Sequence, residues 1–353
     1  MVREVTLRDF RSYERLELAL EPGLVLVVGP NGVGKTNLLE ALHVGTQAFS
    51  PRTRSDMRLV RHGAGRARIA LRGSRAGVET ATEITLGLQE PRRASLNGAS
   101  LRSGEQLRAE IATLAFTPDR LVVVKGGPAA RRAYFDRVVA RLFPGRAGLA
   151  AEYGAAVSQR NAALRRVAAG ISSRGALEPW TSQLTALGTS LAAARAEVVE
   201  LLEPAFAERA GELGVPGANL VYDPCVPTAE ALAARLEQDL ERGATGLGPH
   251  LDDIAVRAGM RDLRTFGSQG EQRIAVLSLL LAEAELIDQR SGIPPLLLLD
   301  DALSELDASR RRILSERIGR AGQTIVTATG SEALPLAPAQ LVTVTPGTAR
   351  TSA

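Results

Sequence analysis

The chain has 353 residues, of which 45% are hydrophobic and 23% charged, a balance typical of a soluble globular protein with two or three domains. The single cysteine, Cys225, excludes an internal disulfide and a multi-cysteine metal site, and we expect it to be a buried apolar residue. The formal net charge of +4 is mild evidence for a polyanionic partner such as nucleic acid.

Nothing in the hydropathy pattern indicates a membrane protein. The chain contains no apolar run of about 18 residues, the length that a membrane-spanning helix needs. Residues 1–10 carry early charges and have no apolar core of the kind found in secretory signals. We therefore expect a cytoplasmic protein with no membrane partner.

The first motif lies at residues 29–36, which read GPNGVGKT between a predicted buried strand (24–28) and a predicted helix (from 37). In a GxxxxGK[ST] loop, backbone N–H groups converge on phosphate oxygens, the lysine reaches the β- and γ-phosphates, and the final hydroxyl coordinates Mg²⁺. The loop residues predicted to hold a nucleotide triphosphate such as ATP, with Mg²⁺ on Thr36, are Gly29, Pro30, Asn31, Gly32, Val33, Gly34, Lys35 and Thr36. A glycine-rich turn with a chance lysine is disfavoured, because the chain has only two lysines among its 43 basic residues.

The middle of the chain predicts helices. Residues 128–213 are rich in Ala, Leu, Arg and Glu, and apolar side chains from Leu184 to Leu202 recur at spacings of three and four. Such a face favours ordinary helix packing over a partner site. Breaks at 170–175 and 215–217 divide the region into a helical hairpin and its return.

A short segment, GLGPHLDD, places His250, Asp252 and Asp253 close together. Three residues are too few for a closed tetrahedral zinc site, and nearby arginines offer partners for both aspartates. We expect a structural or allosteric role.

The segment FGSQGEQR (266–273) precedes a long helical run. Ser268, Gln269 and Gly270 would lie at the helix N-terminus, where outward-facing backbone donors can hold a γ-phosphate. The alternative is an ordinary serine N-cap.

Residues 294–301, PPLLLLDD, have the Walker B pattern of an apolar strand followed by carboxylates. A strand beside the phosphate-loop strand would place Asp300 near Mg²⁺ through a water, and Asp301 where it can orient an attacking water. An aspartate that merely caps the next helix is the alternative. A further predicted strand, TIVTAT, ends at Thr329, which can bind a γ-phosphate or water.

The spacing between FGSQGEQR (266–273) and PPLLLLDD (294–301) resembles the spacing between the signature and Walker B motifs in ABC-type ATPases. Asp307, at the end of ALSELD, matches their D-loop. Thr329 stands where they carry a switch histidine, and Asp301 replaces the usual glutamate. Both replacements predict slow turnover, as in a weak ATPase that acts as a nucleotide switch.

With RDFRSYERLEL near the start and FTPDRLVVVKGGPAARRAYFD at 116–136, the motifs resemble the RecF family of bacterial recombination-repair proteins over nearly the whole chain. SMC proteins and zinc-hook ATPases share such a head, but they need far longer arms or a CxxC hook. The resemblance implies an α/β fold: an ABC-type P-loop ATPase head (1–115 and 246–353) with an inserted, mainly α-helical lobe (116–245) and no long coiled coil. By analogy, Arg11 and Asn31 would lie beside the nucleotide.

The resemblance also implies a function in DNA repair and replication. It implies a homodimer formed on ATP, bound to duplex DNA or single-strand junctions and released by slow hydrolysis, which works with RecO and RecR to load RecA. The nucleotide-binding subunit of an ABC transporter remains the alternative. A metabolite kinase is a third and weaker one, because it has no use for FGSQGEQR.

Arginines are the predicted DNA contacts. Only 3% of residues are aromatic, which argues against a base-stacking platform, whereas arginines suit phosphate contacts on duplex DNA. For each of them the alternative is a solvated residue or an ion pair. The candidates are Arg52, Arg54, Arg58, Arg61, Arg131 and Arg132.

Overall fold

The computed structural model describes residues 1–351, which form two compact units. The first unit contains residues 1–121, 209–215 and 276–353, and the second contains 122–208 and 216–275. The division predicted from the sequence has other boundaries, 115 and 245, and stays a prediction.

The chain forms both strands and helices. The strands are β1 Val2–Phe10, β2 Tyr13–Ala19, β3 Leu24–Val28, β4 Arg66–Arg75, β5 Val78–Gly87, β6 Arg93–Leu96, β7 Ala99–Ser100, β8 Thr113–Phe116, β9 Ala218–Tyr222, β10 Ile254–Ala258, β11 Arg261–Asp262, β12 Leu296–Leu299, β13 Thr324–Ala328, β14 Gln340–Thr345 and β15 Thr348–Thr351. The helices are α1 Lys35–Gln47, α2 Gly104–Glu110, α3 Val122–Lys125, α4 Pro128–Leu142, α5 Leu149–Ala168, α6 Glu178–Glu212, α7 Ala229–Ala234, α8 Leu236–Arg242, α9 Leu263–Phe266, α10 Gln269–Ser291 and α11 Ala308–Arg320.

The first unit contains a six-stranded sheet in the order β15-β14-β3-β13-β12-β8. Its strands run parallel except for β15, which pairs antiparallel with β14. β3, β12 and β13 are buried along their whole length, which explains their continuous apolar character. The carboxyl ends of the parallel strands therefore lie along one edge of this sheet.

A second sheet in the first unit has the order β2-β1-β4-β5-β6-β7 and is antiparallel. Buried and exposed residues alternate along its strands, as expected when one face covers a core. α1 contacts β4 and β5 on one side and β12 and β13 on the other, so its apolar side chains join the two sheets in one core. This packing fixes the helix that follows the phosphate loop.

The second unit is mainly helical and includes a small antiparallel sheet, β11-β10-β9. The predicted long helices are present, and α5 ends before the predicted break at 170–175. Helix α6 continues through Pro204. Cys225 is half-buried rather than buried as predicted, because it lies in the irregular segment after β9. Among the described residues, no helix combines the length and apolar character needed to cross a membrane.

Candidate nucleotide site

The glycine-rich loop joins the end of β3 to the start of α1, as the motif predicts. Two of its glycines have no room for a side chain. A Cβ at Gly29 would lie 2.5 Å from the Val344 carbonyl oxygen, and one at Gly34, where φ is +119°, would lie 2.9 Å from Ser12 Oγ. The buried Tyr13 hydroxyl donates to the Gly34 carbonyl at 3.0 Å. The loop is therefore held in a tight conformation from both sides.

Lys35 folds back over this loop. Its ammonium group donates to the carbonyl oxygens of Gly29 at 2.6 Å and Pro30 at 2.9 Å. Partial burial lowers the pKa of Lys35, while the charges of Asp300 and Asp301 oppose that shift. The lysine therefore lies within the electrostatic reach of both predicted Walker B carboxylates.

The first of those carboxylates contacts the loop directly. Thr36 Oγ1 donates to Asp300 Oδ1 at 3.0 Å, although β12 is not beside β3 as the sequence analysis expected. β13 lies between them, so Asp300 is two strands away from the phosphate-loop strand. The contact still forms because parallel strands end at one edge of the sheet, where α1 begins.

The intervening strand supplies a residue that sequence reasoning missed. Thr327, buried in β13, donates to Asp300 Oδ1 at 2.8 Å and accepts from the backbone N–H of Asp301 at 2.9 Å. A hydroxyl within a fully buried strand is the signal that could have identified it, since a buried polar group needs a partner.

Asp301 points differently from Asp300. Its backbone is left-handed (φ 53°), and its exposed carboxylate accepts a hydrogen bond from Ser304 Oγ at 3.0 Å. Thr329 is exposed just beyond the end of β13. The two residues predicted to act on a γ-phosphate or water thus both reach solvent.

Asp307 caps a helix. Its carboxylate accepts from the backbone N–H of Arg310 at 2.9 Å at the start of α11 and from the Ser309 hydroxyl at 2.7 Å. These hydrogen bonds, chiefly the one from Arg310, lower the pKa of Asp307. Whether it also contacts nucleotide, as its D-loop position implies, stays a prediction.

Arg11 belongs to a cluster around a buried carboxylate of α1 that the sequence analysis did not identify. Glu40 accepts two hydrogen bonds from Arg11, at 2.8 and 2.9 Å, one from Arg52 at 3.1 Å and one from Ser50 at 2.6 Å. A glutamate among the apolar residues NLLEALH was the available signal. Asn37, in the first turn of α1, donates to Ser12 beside Arg11 at 3.0 Å, so the Arg11 segment is fixed to that helix.

The signature segment lies in the second unit and begins a helix as predicted. Ser268 Oγ accepts from the backbone N–H of Glu271 at 3.2 Å, and the Glu271 carboxylate accepts from the backbone N–H of Ser268 at 2.8 Å. This reciprocal pair is a capping box. The hydrogen bond from the Ser268 backbone N–H, followed by the one from Arg261, lowers the pKa of Glu271. Ser268 and Gln269 are exposed.

The arginines proposed for DNA differ in their surroundings. Arg54 and Arg58 are exposed, whereas Arg52 is bound to Glu40 and Arg61 donates to Asp9 at 2.7 Å. Arg131 and Arg132 differ more from the predicted DNA contacts than these four arginines do.

Arg131 does not match the prediction of a DNA contact. Its guanidinium is buried and donates twice to Asp253, at 2.6 Å each, and to two backbone carbonyls. Arg132 donates to the Asp252 carbonyl at 2.5 Å, and partial burial lowers its pKa. Arg131 is therefore a structural residue, because its guanidinium is buried and bound to protein groups.

The segment around His250 has the structural character that the sequence analysis favoured. His250 Nδ1 lies 2.8 Å from the Tyr153 hydroxyl, and Nε2 lies 3.0 Å from the Thr245 carbonyl. The Asp252 carboxylate accepts from the Tyr222 hydroxyl at 2.7 Å and from the backbone N–H of Cys225 at 3.1 Å. Protein groups therefore lie within hydrogen-bonding distance of both ring nitrogens of His250 and bind the Asp252 carboxylate.

Comparison with known proteins places the chain among ATPase heads. The family model described as RecF/RecN/SMC N terminal domain matches residues 1–353. Two solved structures of the recombination mediator protein RecF in the RecFOR pathway, one with ATPrS and one with ATP, are each 24% identical with a TM-score of 0.88. Both alignments cover 100% of this chain, and they cover 98% and 97% of the solved chains, respectively.

A more distant likeness is to the Smc head domain with an extended coiled coil, bound to the C-terminal domain of ScpA, from Pyrococcus furiosus. It is 15% identical with a TM-score of 0.60, over 99% of this chain and 95% of that one. These likenesses confirm the predicted fold, an α/β P-loop ATPase head with a mainly helical second lobe. Within the described residues there is no long coiled coil, the longest helix being the 35 residues of α6.

Proposed function

Because the chain belongs to the RecF/RecN/SMC N-terminal domain family, we propose that it is an ATP-dependent DNA-binding protein of recombinational repair. The observation that carries the proposal is the 3.0 Å contact between Thr36 and Asp300 at the end of the phosphate loop. A hydroxyl and a carboxylate are hard oxygen donors of the kind that Mg²⁺ prefers, so the residues present fit this ion. Mg²⁺ bound there would neutralise phosphate charge.

Lys35, Asp301 and Thr329 would have separate roles in ATP binding and hydrolysis. Lys35 would exchange its loop carbonyls for β- and γ-phosphate oxygens, since a charged acceptor forms the stronger hydrogen bond. Asp301 would orient the attacking water, and Thr329 would contact the γ-phosphate or that water. The short arm of Asp301 and the uncharged Thr329 favour slow hydrolysis, which suits a timed switch.

We place the second half of the site on another copy of the chain. The N-terminus of α10, with Ser268, Gln269 and Gly270, would cap the γ-phosphate of the partner, giving two composite sites about a two-fold axis. In the single chain, Ser268 and Glu271 satisfy each other. Because the phosphate is the group that the partner's helix N-terminus would bind, we expect dimerisation to depend on the nucleotide.

The partners are proposed from the same relatives. The solved RecF structures belong to the RecFOR pathway. For this chain we propose partnership with RecO and RecR and the loading of RecA onto DNA, as the family resemblance implies. Arg54 and Arg58 are the remaining candidates for DNA phosphates, because their side chains are exposed.

The two lysines of the chain allow a matched test. Lys35→Ala removes the loop ammonium, whereas Lys125→Ala removes an exposed one in α3. We expect the first to weaken binding of a fluorescent ATP analogue by about 100-fold, the loss of one strong charge-assisted contact to phosphate, and the second to change it little.

Duplex DNA binding is measured for the same proteins with and without ATP. ATP should raise the affinity of the wild type and of Lys125→Ala, and leave that of Lys35→Ala unchanged. A wild type that binds ATP without any ATP-stimulated affinity for duplex DNA would contradict the repair function and favour a transporter subunit.

A further inference from the structure

The two adjacent carboxylates at the end of β12 are held by one side chain of the neighbouring strand. Thr327 Oγ1 donates its only proton to Asp300 Oδ1 and accepts from the backbone N–H of Asp301. With one proton to give, the hydroxyl can satisfy both partners in a single orientation. The relative placement of the two aspartates therefore depends on this group.

Each aspartate needs such a restraint. Asp300 Oδ1 accepts from both Thr36 and Thr327, and a ligand that takes over the Thr36 hydroxyl leaves Thr327 as the donor that keeps the carboxylate in place. Asp301 has a left-handed backbone (φ 53°), a conformation that a non-glycine residue adopts at a cost. The hydrogen bond from its N–H to Thr327 compensates that cost.

We propose that Thr327 is a positioning residue of the nucleotide site. Its hydroxyl fixes Asp300 against Thr36 and turns Asp301 toward solvent, so that one carboxylate faces the cation position and the other the water position. The proposal rests on the proposed function, because it assigns to Thr327 the geometry that binding and hydrolysis of ATP would use. It adds a residue that no part of the phosphate loop, signature or Walker B pattern contains.

The same strand supplies a matched control. Thr324 is also fully buried in β13, and its hydroxyl donates to the Ile318 carbonyl at 3.0 Å, away from the aspartates. Thr→Val at either position keeps the shape and removes one buried hydroxyl, so Thr324→Val controls for the loss of a buried hydroxyl from this strand. Only Thr327→Val deprives Asp300 of a donor and the Asp301 N–H of its acceptor.

The test compares Thr327→Val, Thr327→Ser and Thr324→Val. We expect Thr327→Val to lower kcat for ATP hydrolysis by about 10- to 100-fold, the range found for groups that orient metal ligands, while the affinity for ATP without a divalent ion changes by less than about threefold. Thr327→Ser, which keeps the hydroxyl, should have a kcat and an ATP affinity close to the wild-type values.

A second readout does not depend on turnover. Mn²⁺ is titrated into each protein with bound ATPγS and followed by electron paramagnetic resonance, and Thr327→Val should weaken Mn²⁺ binding by about 10-fold or more. If Thr327→Val is not recovered folded, Thr327→Ser and Thr327→Ala form the pair that isolates the hydroxyl.

The outcomes are distinct. If Thr327→Val and Thr324→Val match each other in kcat and in Mn²⁺ affinity, Thr327 is an ordinary buried threonine and the inference is wrong, although the proposed function stands. If the wild type fails to bind ATP, the proposed function fails and the inference with it.

Discussion

At the scale of single residues, the half-buried His250 shows how a polar side chain is held by protein groups of the second unit. The Thr245 carbonyl can only accept, so Nε2 carries the proton and Nδ1 accepts from the Tyr153 hydroxyl. Burial favours this neutral form of the ring. Burial, the largest cause, lowers the pKa of His250; the charge of Arg132 adds to the shift, and Thr245, Asp252 and Asp239 oppose it.

The lowered pKa gives the stability a definite pH dependence. Because the folded chain binds a proton on His250 less readily than the unfolded chain, His250 stabilises the fold above its unfolded pKa, about 6.5, and this contribution is lost as pH falls through the folded pKa. We expect the free energy of unfolding in urea to fall between pH 7.5 and pH 5 by more in the wild type than in His250→Gln.

The exposed His62 provides the control for this comparison. His62→Gln should keep the pH dependence of the wild type. If His250→Gln and His62→Gln follow the same pH curve, His250 does not contribute through its protonation.

At the scale of elements, a buried ion pair joins α5 to α8. Arg160 donates to Asp239 at 2.9 Å and to Thr245 at 2.8 Å, and both side chains of the ion pair are 1% exposed. Removing one charge leaves the other buried without compensation, so we expect Asp239→Asn to lower the free energy of unfolding by about 3 kcal/mol.

The same helix carries one member of a matched exposed pair. Glu237 lies two residues earlier and binds Arg174, with side chains 68% and 61% exposed. Glu237→Gln should cost less than about 0.5 kcal/mol, because solvent screens an exposed pair. Chemical denaturation followed by circular dichroism measures both, and equal losses would show that burial of Asp239 is unimportant.

How well each element could be predicted depended on how far apart in the sequence its interacting residues lie. β3, α1, β12 and the signature helix were predicted correctly because apolar periodicity, glycines and capping residues act over a few neighbouring positions. The order of the strands was not predicted correctly, because pairing between residues about 300 positions apart leaves no local pattern in the sequence. The placement of β13 between β3 and β12 is the clearest case.

Side-chain partnerships showed the same limit. The sequence indicated that Asp300 belongs near Thr36, but not that Thr327 would hold it. Arg131 was assigned to DNA on charge alone, since its partner Asp253 lies 122 positions away. A buried hydroxyl or charge can be suspected from its apolar neighbours, while its partner depends on the tertiary fold.

At the scale of the whole molecule, the two halves of the proposed composite site belong to different units of the chain. Lys35, Thr36 and Asp300 lie in the first unit, and Ser268 to Gly270 lie in the second. In the proposed two-fold dimer, each composite site therefore needs an intact loop from one chain and an intact signature helix from the other. Defects in the two halves should complement each other when the chains are mixed.

Mixing two inactive variants tests this arrangement. Lys35→Ala removes the phosphate-loop ammonium, and Ser268→Arg fills the N-terminus of α10 with a bulky side chain. Each variant alone should remain monomeric with ATP and Mg²⁺ in size-exclusion chromatography with light scattering, because both of its composite sites are defective. An equimolar mixture should form heterodimers that contain one site with both defects and one intact site, and it should hydrolyse ATP faster than either variant alone. Ser268→Arg dimerising by itself, or a mixture as monomeric as its components, would contradict a site shared between two chains.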